Sequence, residues 1–217
     1  MSHANEAPFD SIDSVIADIR AGKMVIVTDD EDRENEGDIV VAAEHIDEEK
    51  MAFIIRHTGG VVCLAVNNDI ADQINLPPMV RNNTSSRGTP FTVSIEAVKG
   101  VTTGISAADR AATVRAAVHP MAKPEDLARP GHVFPLRAQD GGVLVRAGHT
   151  EASVDLARLA GCREAAVISE LMHEDGSMMR LPAIREFAAE HGMLILAIAD
   201  LISYRKKHEK LIRMEAE

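Results

Sequence analysis

A dense group of carboxylates between two apolar segments is the feature of the sequence most suggestive of chemistry. Residues 29–38, hereafter the acidic loop, hold seven carboxylates and one arginine. Apolar residues 24–27 and 39–43 flank this loop, so we expect both of its ends to be anchored in a core. Two carboxylates about 4 Å apart repel by roughly 4 kcal/mol at an effective dielectric near 20. The acidic loop is therefore expected to bind a cation, a proton or a cationic ligand.

Two other interpretations of the acidic loop stay open at this point. An EF-hand calcium loop beginning at Asp32 would fit the first acidic positions and the following Gly37. Its twelfth position is Ala43, however, and the flanking segments have the character of strands rather than helices. A solvated charged turn is the second alternative. The density of acids and the apolar runs on both sides count against it.

A second candidate segment joins a predicted strand to a predicted helix, residues 151–160, which we expect Thr150 to cap. The free N–H groups at the helix start, with Arg146 and the small Gly148, are suited to holding a phosphate. His149 lies among them and can bind a metal or transfer a proton. An ordinary capped helix with a surface histidine is the alternative.

Glu170 and His132 are single candidates for proton transfer. Glu170 follows the predicted strand of residues 165–168, and reactive groups collect at strand ends in layered α/β folds. It can serve as a general base with a raised pKa, although an exposed glutamate is the ordinary alternative. His132 lies in a predicted loop, residues 129–137, which two prolines and a glycine stiffen. A packed structural histidine fits that segment equally well.

These groups together suit one kind of reaction. A carboxylate-rich metal loop, two histidines, a separate glutamate and a phosphate site fit proton abstraction next to the carbonyl of a sugar phosphate. A divalent metal would stabilise the resulting enediolate. Because oxygen ligands and a phosphorylated substrate favour hard cations, we expect Mg²⁺ or Mn²⁺ rather than zinc.

The elements that must position these residues alternate between helix and strand, which favours layered α/β packing. Helices are predicted over residues 11–20, 48–57, 106–118, 151–160 and 183–191. Strands are predicted over residues 24–27, 61–66, 91–95, 143–145, 165–168 and 193–199. Since no repeat or linker divides the sequence, we expect one domain over residues 1–217.

Composition excludes several classes of protein. The net charge of −11 argues against nucleic acid as a partner. There is no run of 18 apolar residues and no secretory signal at the start, so we expect no membrane span and a cytoplasmic location. The two cysteines, Cys63 and Cys162, form no CxxC motif and are expected to be reduced thiols.

Several longer stretches resemble the family of 3,4-dihydroxy-2-butanone 4-phosphate synthases. They are residues 29–38, 82–85, 100–104, 106–110, 129–136 and 148–152, and the resemblance extends from about residue 11 to residue 204. It implies conversion of D-ribulose 5-phosphate to a four-carbon ketone phosphate and formate, for riboflavin biosynthesis. It also implies an α/β (α+β) fold, a three-layer α-β-α sandwich with a mixed sheet. The family resemblance further implies a homodimer with active sites near the subunit interface.

The resemblance assigns a role to each candidate residue. The residues expected to bind Mg²⁺ or Mn²⁺ are Glu34 and His149. Those expected to contact the substrate are Arg33, Asp38, Arg146, Ala147, Gly148, His149, Thr150 and Glu170, with Arg146 and Thr150 near its phosphate. The catalytic residues are expected to be His132 and Glu170.

Three functional alternatives follow from the sequence. Some family members carry a second domain with a cysteine-rich zinc motif, which two lone cysteines cannot form, so we expect a monofunctional synthase. A metal-dependent sugar-phosphate isomerase or aldolase would share the metal and phosphate sites but release no formate. A non-catalytic acidic metal-binding or ligand-binding protein would turn over no substrate at all.

Overall fold

A computed structural model describes residues 9–209, which fold around one seven-stranded sheet. The strands are β1 (Val25–Thr28), β2 (Gly37–Ala42), β3 (Cys63–Val66), β4 (Ile95–Ala97), β5 (Leu127–Arg137), β6 (Ala165–Glu170) and β7 (Ile195–Ala197). The helices are α1 (Ile12–Arg20), α2 (Glu48–His57), α3 (Asn68–Gln73), α4 (Ala107–Ala117), α5 (His149–Leu159), α6 (Leu181–His191) and α7 (Ile198–His208).

The sheet is mixed, with strand order β4-β5-β3-β6-β2-β1-β7. Strands β1 and β7 pair in parallel, as do β3 and β5, and the other neighbours are antiparallel. A separate apolar core covers each face. Helices α2, α3, α4 and α6 pack on one face and α1, α5 and α7 on the other. The predicted three-layer α-β-α sandwich with a mixed sheet is therefore confirmed.

Most helices begin where the sequence predicts them. Ser11 and Ser106 cap α1 and α4, and their hydroxyls accept the backbone N–H of Ser14 and Asp109 at 3.2 and 3.0 Å. The predicted helices at residues 48–57 and 183–191 correspond to α2 and α6. Within the described part of the chain, the helices are too short or too polar to cross a membrane.

Helix α5 is buried on all sides. Nine consecutive residues, from His149 to Ala157, are buried, because α5 lies between the sheet and helices α1 and α7. A helix without an exposed stripe belongs to a protein interior. Its first residues reach the end of β2 that carries Asp38, so the core of the protein fixes the position of the predicted site residues.

The predicted loop at residues 129–137 is wrong, because these residues belong to β5. Of the two prolines that suggested a loop, Pro130 lies at an irregularity in the pairing with β4, and Pro135 lies opposite Leu64 in the parallel pairing with β3. At the irregularity Val133 pairs with Ile95 but Ala128 pairs with the very next residue, Glu96. The extra residues of β5 between these two pairs form a bulge, and a bulge next to the edge strand tolerates a proline such as Pro130.

The predicted strand at residues 143–145 is also wrong, since Gly142–Leu144 form a turn of 3₁₀ helix. Gly141 and Gly142 adopt positive φ angles of 91° and 61°, which bend the chain. Three other predicted boundaries differ from the structure. In the predicted strand at residues 91–95, residues 91–94 make only isolated bridges before β4. The predicted strand at residues 193–199 divides into β7 and the start of α7. Helix α5 is capped by Gly148 rather than by Thr150.

Candidate active site

The acidic loop connects the antiparallel strands β1 and β2, and the carboxylate of Asp29 organises it from within. Its Oδ1 accepts the backbone N–H of Glu36 at 2.9 Å. Its Oδ2 accepts the backbone N–H of Glu34 at 2.9 Å and the Arg33 guanidinium at 2.8 Å. Burial would raise the pKa of Asp29, but these three donors outweigh burial and lower it. Asp29 is thus a charged acceptor around which the loop folds.

Two arginines from other segments fasten the acidic loop from outside. The guanidinium of Arg180, just before α6, donates to the carbonyl oxygens of Glu34 and Asn35, the first at 3.0 Å. Arg87 donates to the carbonyl oxygen of Arg33. Because backbone oxygens are held from outside and backbone N–H groups from inside, the loop has a defined conformation.

His149, the first residue of α5, faces two carboxylates of the acidic loop. Its Nδ1 lies 3.6 Å from Glu34 Oε2, and its Nε2 lies 3.8 Å from Asp38 Oδ1. The neighbouring His149, together with Arg33, lowers the pKa of Glu34 to about 2. Burial would lower the pKa of His149, but Asp38 and Glu34 outweigh it and raise that pKa. The imidazole is therefore held between two acids.

Asp38 and His149 each leave a buried polar atom unsatisfied. Asp38 Oδ1 and His149 Nε2 are buried and have no hydrogen-bond partner among residues 9–209. Such an atom costs about 1–3 kcal/mol, which a bound ligand would recover. Burial, followed by Glu170 and Glu36, raises the pKa of Asp38. These two atoms therefore lie in a site whose hydrogen-bond partner would be a ligand or another chain rather than residues 9–209.

Three residues are arranged so that they can hold a metal ion. Asp29, Glu34 and His149 each offer one ligand atom, and the three atoms lie within 4.8 Å of one another. Two carboxylate oxygens and one imidazole nitrogen fit a divalent cation such as Mg²⁺ or Mn²⁺. The structure thus brings together the predicted ligands Glu34 and His149, and it adds Asp29, which the sequence did not single out.

Glu170 joins this group because of strand register. Asp38 of β2 is paired with Glu170, the last residue of β6, so both residues lie at the same level of adjacent strands. Glu36 lies nearby, and burial, then Glu170 and Glu34, raises its pKa. The resulting cleft is lined by seven predicted site residues, namely Arg33, Glu34, Asp38, Arg146, His149, Thr150 and Glu170. It is also lined by Glu36, Thr89, Leu136 and Ile168, which the sequence did not single out.

Two guanidinium groups converge at the start of α5, beside Gly148. A Cβ at Gly148 would lie 2.4 Å from Arg146 Nη1 and 3.0 Å from Arg33 Nη2, so only glycine leaves room for both. Arg146 Nη1 donates to the buried carboxylate of Glu151 at 2.7 Å, which fixes its direction. Two arginines and the free N–H groups of a helix N-terminus together suit an anion.

His132 is not brought into this cleft. It lies on β5 four residues before Leu136, which corresponds to about 13 Å along a strand. Its side chain is 45% exposed, and its Nδ1 lies 2.5 Å from Glu96 Oε2. Glu96 is a partner that the sequence did not single out, since it lies on β4 far away in sequence. The catalytic role of His132 stays a prediction.

Comparison with known proteins shows extensive similarity. The family model for 3,4-dihydroxy-2-butanone 4-phosphate synthase matches residues 13–204. The chain is 56% identical over 203 residues to the enzyme of that name from Escherichia coli O1:K1, covering 94% of each. It is 54% identical over 212 residues to the one from Neisseria meningitidis, which covers 98% of this chain but only 57% of that relative's length. The chain therefore spans little more than half of the Neisseria protein.

A solved structure shares the fold. The crystal structure of 3,4-dihydroxy-2-butanone 4-phosphate synthase in complex with two magnesium ions superposes with a TM-score of 0.91 at 42% sequence identity. The superposition covers 94% of this chain and 100% of that one.

Proposed function

Because the chain belongs to the 3,4-dihydroxy-2-butanone 4-phosphate synthase family, we propose that it converts D-ribulose 5-phosphate to L-3,4-dihydroxy-2-butanone 4-phosphate and formate. This reaction is the step of riboflavin biosynthesis that the sequence predicts. The observation that carries the proposal is the unsatisfied pair Asp38 Oδ1 and His149 Nε2, buried in one cleft with Glu34, Glu170 and two arginines.

The reaction needs several proton transfers around one carbon skeleton. It proceeds by enolisation, loss of a hydroxyl, a 1,2-shift, hydration and loss of C4 as formate, so a single acid–base group would not suffice. Asp38 and Glu36 have raised pKa values and can therefore exchange protons closer to neutral pH than ordinary carboxylates. Glu170 lies beside Asp38 and is proposed as a base that touches the substrate.

The substrate is anchored at its phosphate in this proposal. Arg146, Gly148 and Thr150 surround the N-terminus of α5, and Arg33 approaches from the acidic loop. The backbone of Ala147 and Gly148 can approach the substrate closely, because Gly148 carries no side chain. A phosphate held at this point would place the sugar carbons towards Asp38 and Glu170.

Glu34 and His149, with Asp29 beside them, would hold Mg²⁺ or Mn²⁺. When bound, a divalent cation supplies positive charge that stabilises negative charge developing on substrate oxygens. The deprotonated state of Glu34 near neutral pH fits this assignment, because metal ligands must be unprotonated. Binding of the cation would displace the proton that Asp38 and Glu34 favour on His149.

The distance of His132 from the cleft supports a homodimer in which a second copy supplies it. His132 does not line the cleft and lies about 13 Å along β5 from Leu136, which does, so we infer that the catalytic histidine of each site comes from the other copy. Its half-exposed side chain is accessible to a second copy. The site would then lie near the subunit interface, as the family resemblance implies. The monofunctional state and the cytoplasmic location stay predictions.

The experiment that tests the proposed function is a formate assay. Purified protein is incubated with D-ribulose 5-phosphate and Mg²⁺, and formate is measured with time, with a metal chelator as the control. We expect formate in stoichiometric amount with the four-carbon product, and none after chelation. Consumption of the sugar phosphate without formate would instead support the isomerase or aldolase alternative.

A further inference from the structure

A second group of metal-binding side chains lies at the opposite end of β2 from the cleft. Glu44 and His45 belong to the 3₁₀ turn Ala43–His45 that follows β2. Cys162 lies in the turn between α5 and β6. One ligand atom from each residue lies within 4.8 Å of the others. We refer to these three residues as the distal cluster.

Two of the three spacings within the distal cluster are close to those of a tetrahedral zinc site. His45 Nε2 lies 3.8 Å from Cys162 Sγ and 3.9 Å from Glu44 Oε1. Typical zinc bond lengths and a tetrahedral angle require about 3.5 Å between nitrogen and sulfur and about 3.4 Å between nitrogen and oxygen. A contraction of a few tenths of an ångström, within reach of small side-chain rotations, would therefore bring Cys162 Sγ and Glu44 Oε1 to the distances from His45 Nε2 that zinc requires.

Neighbouring backbone holds two of the three side chains in place. Gly22 has a φ of +76°, and a Cβ there would lie 3.1 Å from His45 Cγ, so this glycine lies directly against the imidazole. The backbone N–H of Arg163 donates to Glu44 Oε2 at 2.8 Å, which leaves Oε1 facing His45. The cluster is thus positioned by contacts outside itself.

The chemistry of the distal cluster differs from that of the cleft. The cleft offers Asp29, Glu34 and His149, in which oxygen predominates, whereas the distal cluster offers one thiol sulfur, one nitrogen and one oxygen. Thiolate and imidazole select Zn²⁺ and similar borderline cations over Mg²⁺. Since four strand steps and two steps of 3₁₀ helix separate Asp38 from Glu44, the two sites lie roughly 17 Å apart.

We propose that Glu44, His45 and Cys162 form a binding site for Zn²⁺ or a cation of the same class, which fastens the end of β2 to the turn after α5. Three protein ligands leave the fourth position for water. The cation would join the ends of two elements whose other ends carry Asp38 and His149. The three residues of the distal cluster are separate from those that line the cleft.

Cobalt provides a direct test, because a thiolate bound to Co²⁺ gives a charge-transfer absorption in the near ultraviolet. The full chain is titrated with Co²⁺ in excess Mg²⁺, which is added to compete for the cleft. We expect the thiolate band to saturate at one equivalent and to disappear when Zn²⁺, which binds more tightly than Co²⁺, is added. The absence of a thiolate band in the wild-type protein would overturn the proposal.

Variants identify the ligands. The band is expected to be lost in Cys162→Ser and retained in the matched control Cys63→Ala, whose thiol is buried in β3. His45→Gln is expected to weaken Co²⁺ binding at least tenfold, and it keeps the test decisive if Cys162→Ser folds poorly. A band that persists in Cys162→Ser, or unchanged affinity in His45→Gln, would contradict the assignment. Formate release by Cys162→Ser should equal that of the wild type.

Discussion

Replacing Gly148 with alanine should disable the phosphate site without unfolding the protein. A Cβ at this position would lie 2.4 Å from Arg146 Nη1, whereas ordinary contact begins at 3.4 Å, so the guanidinium must retreat by about 1 Å. Arg33 Nη2, at 3.0 Å, would also be displaced. A misplacement of about 1 Å in a positioning group can cost about 100-fold in rate. We therefore expect kcat/KM for formate release to fall about 100-fold, or about 2.7 kcal/mol.

The backbone at Gly148 accepts alanine, which separates this effect from a folding defect. Its φ of −119° and ψ of 162° are extended. The loss of glycine at the start of α5 should cost no more than about 1 kcal/mol of stability, which thermal unfolding would detect. Gly59→Ala is the matched control, because a Cβ there meets only the flexible end of Met172, at 3.1 Å. If Gly148→Ala keeps kcat/KM within about twofold of Gly59→Ala, the two arginines do not hold the phosphate.

Three further predictions follow from the cleft. Glu34→Ala and His149→Ala should each reduce turnover, measured by formate assay, by at least about 10³-fold. Each should also weaken Mg²⁺ binding, measured by calorimetry, at least about tenfold. Normal activity of either variant in metal-free buffer would contradict both assignments. Mixing inactive Glu34→Ala with inactive His132→Ala should restore about a quarter of wild-type activity, because half of the dimers would be mixed and each would hold one intact site. No recovery after verified subunit exchange would refute donation of His132 between subunits. With the metal removed by a chelator, ionised Glu34 should stabilise the fold at pH values above 4.5, its ordinary pKa. This stabilisation should be lost as the pH falls towards about 2, the lowered pKa of Glu34 in the folded protein. The difference in unfolding free energy from Glu34→Gln, measured in urea, should therefore shrink over that window, and a constant difference would contradict the pairing with His149.

The parts of the fold that were predictable are those with strong local signals. Capped amphipathic helices and buried apolar strands such as residues 165–168 were found because burial periodicity and capping are properties of neighbouring residues. Strand β5 was not predicted because Pro130 lies at an irregularity opposite Ile95 and Glu96 and Pro135 lies opposite Leu64 of β3. These partners are far away in sequence. Residues 143–145 are apolar enough for a strand, but Gly141 and Gly142, which both have positive φ angles, bend the chain immediately before them.

The candidate site was largely predictable by residue type but not by geometry. Seven predicted residues line one cleft because their motifs lie at strand ends and at a helix start, positions that the fold brings together. The structural role of Asp29 was not predicted. An aspartate at the start of a tight loop is a signal for such backbone capping, although six other carboxylates obscured it. The separation of His132 from the cleft depends on strand length and topology, which no local motif records.

The burial of α5 on every side affects how the sequences of relatives should be interpreted. Small residues such as Ala152 and Ser153 are fully buried within the same helix that begins with His149. Any larger side chain there would push α5 away from the sheet or from α1 and α7, and would move the imidazole with it. We therefore expect these positions to be as invariant among relatives as the metal ligand itself. Along α5, a residue can be invariant either because of its packing or because of its chemistry. A count of invariant residues in this helix would therefore overestimate the number of catalytic residues.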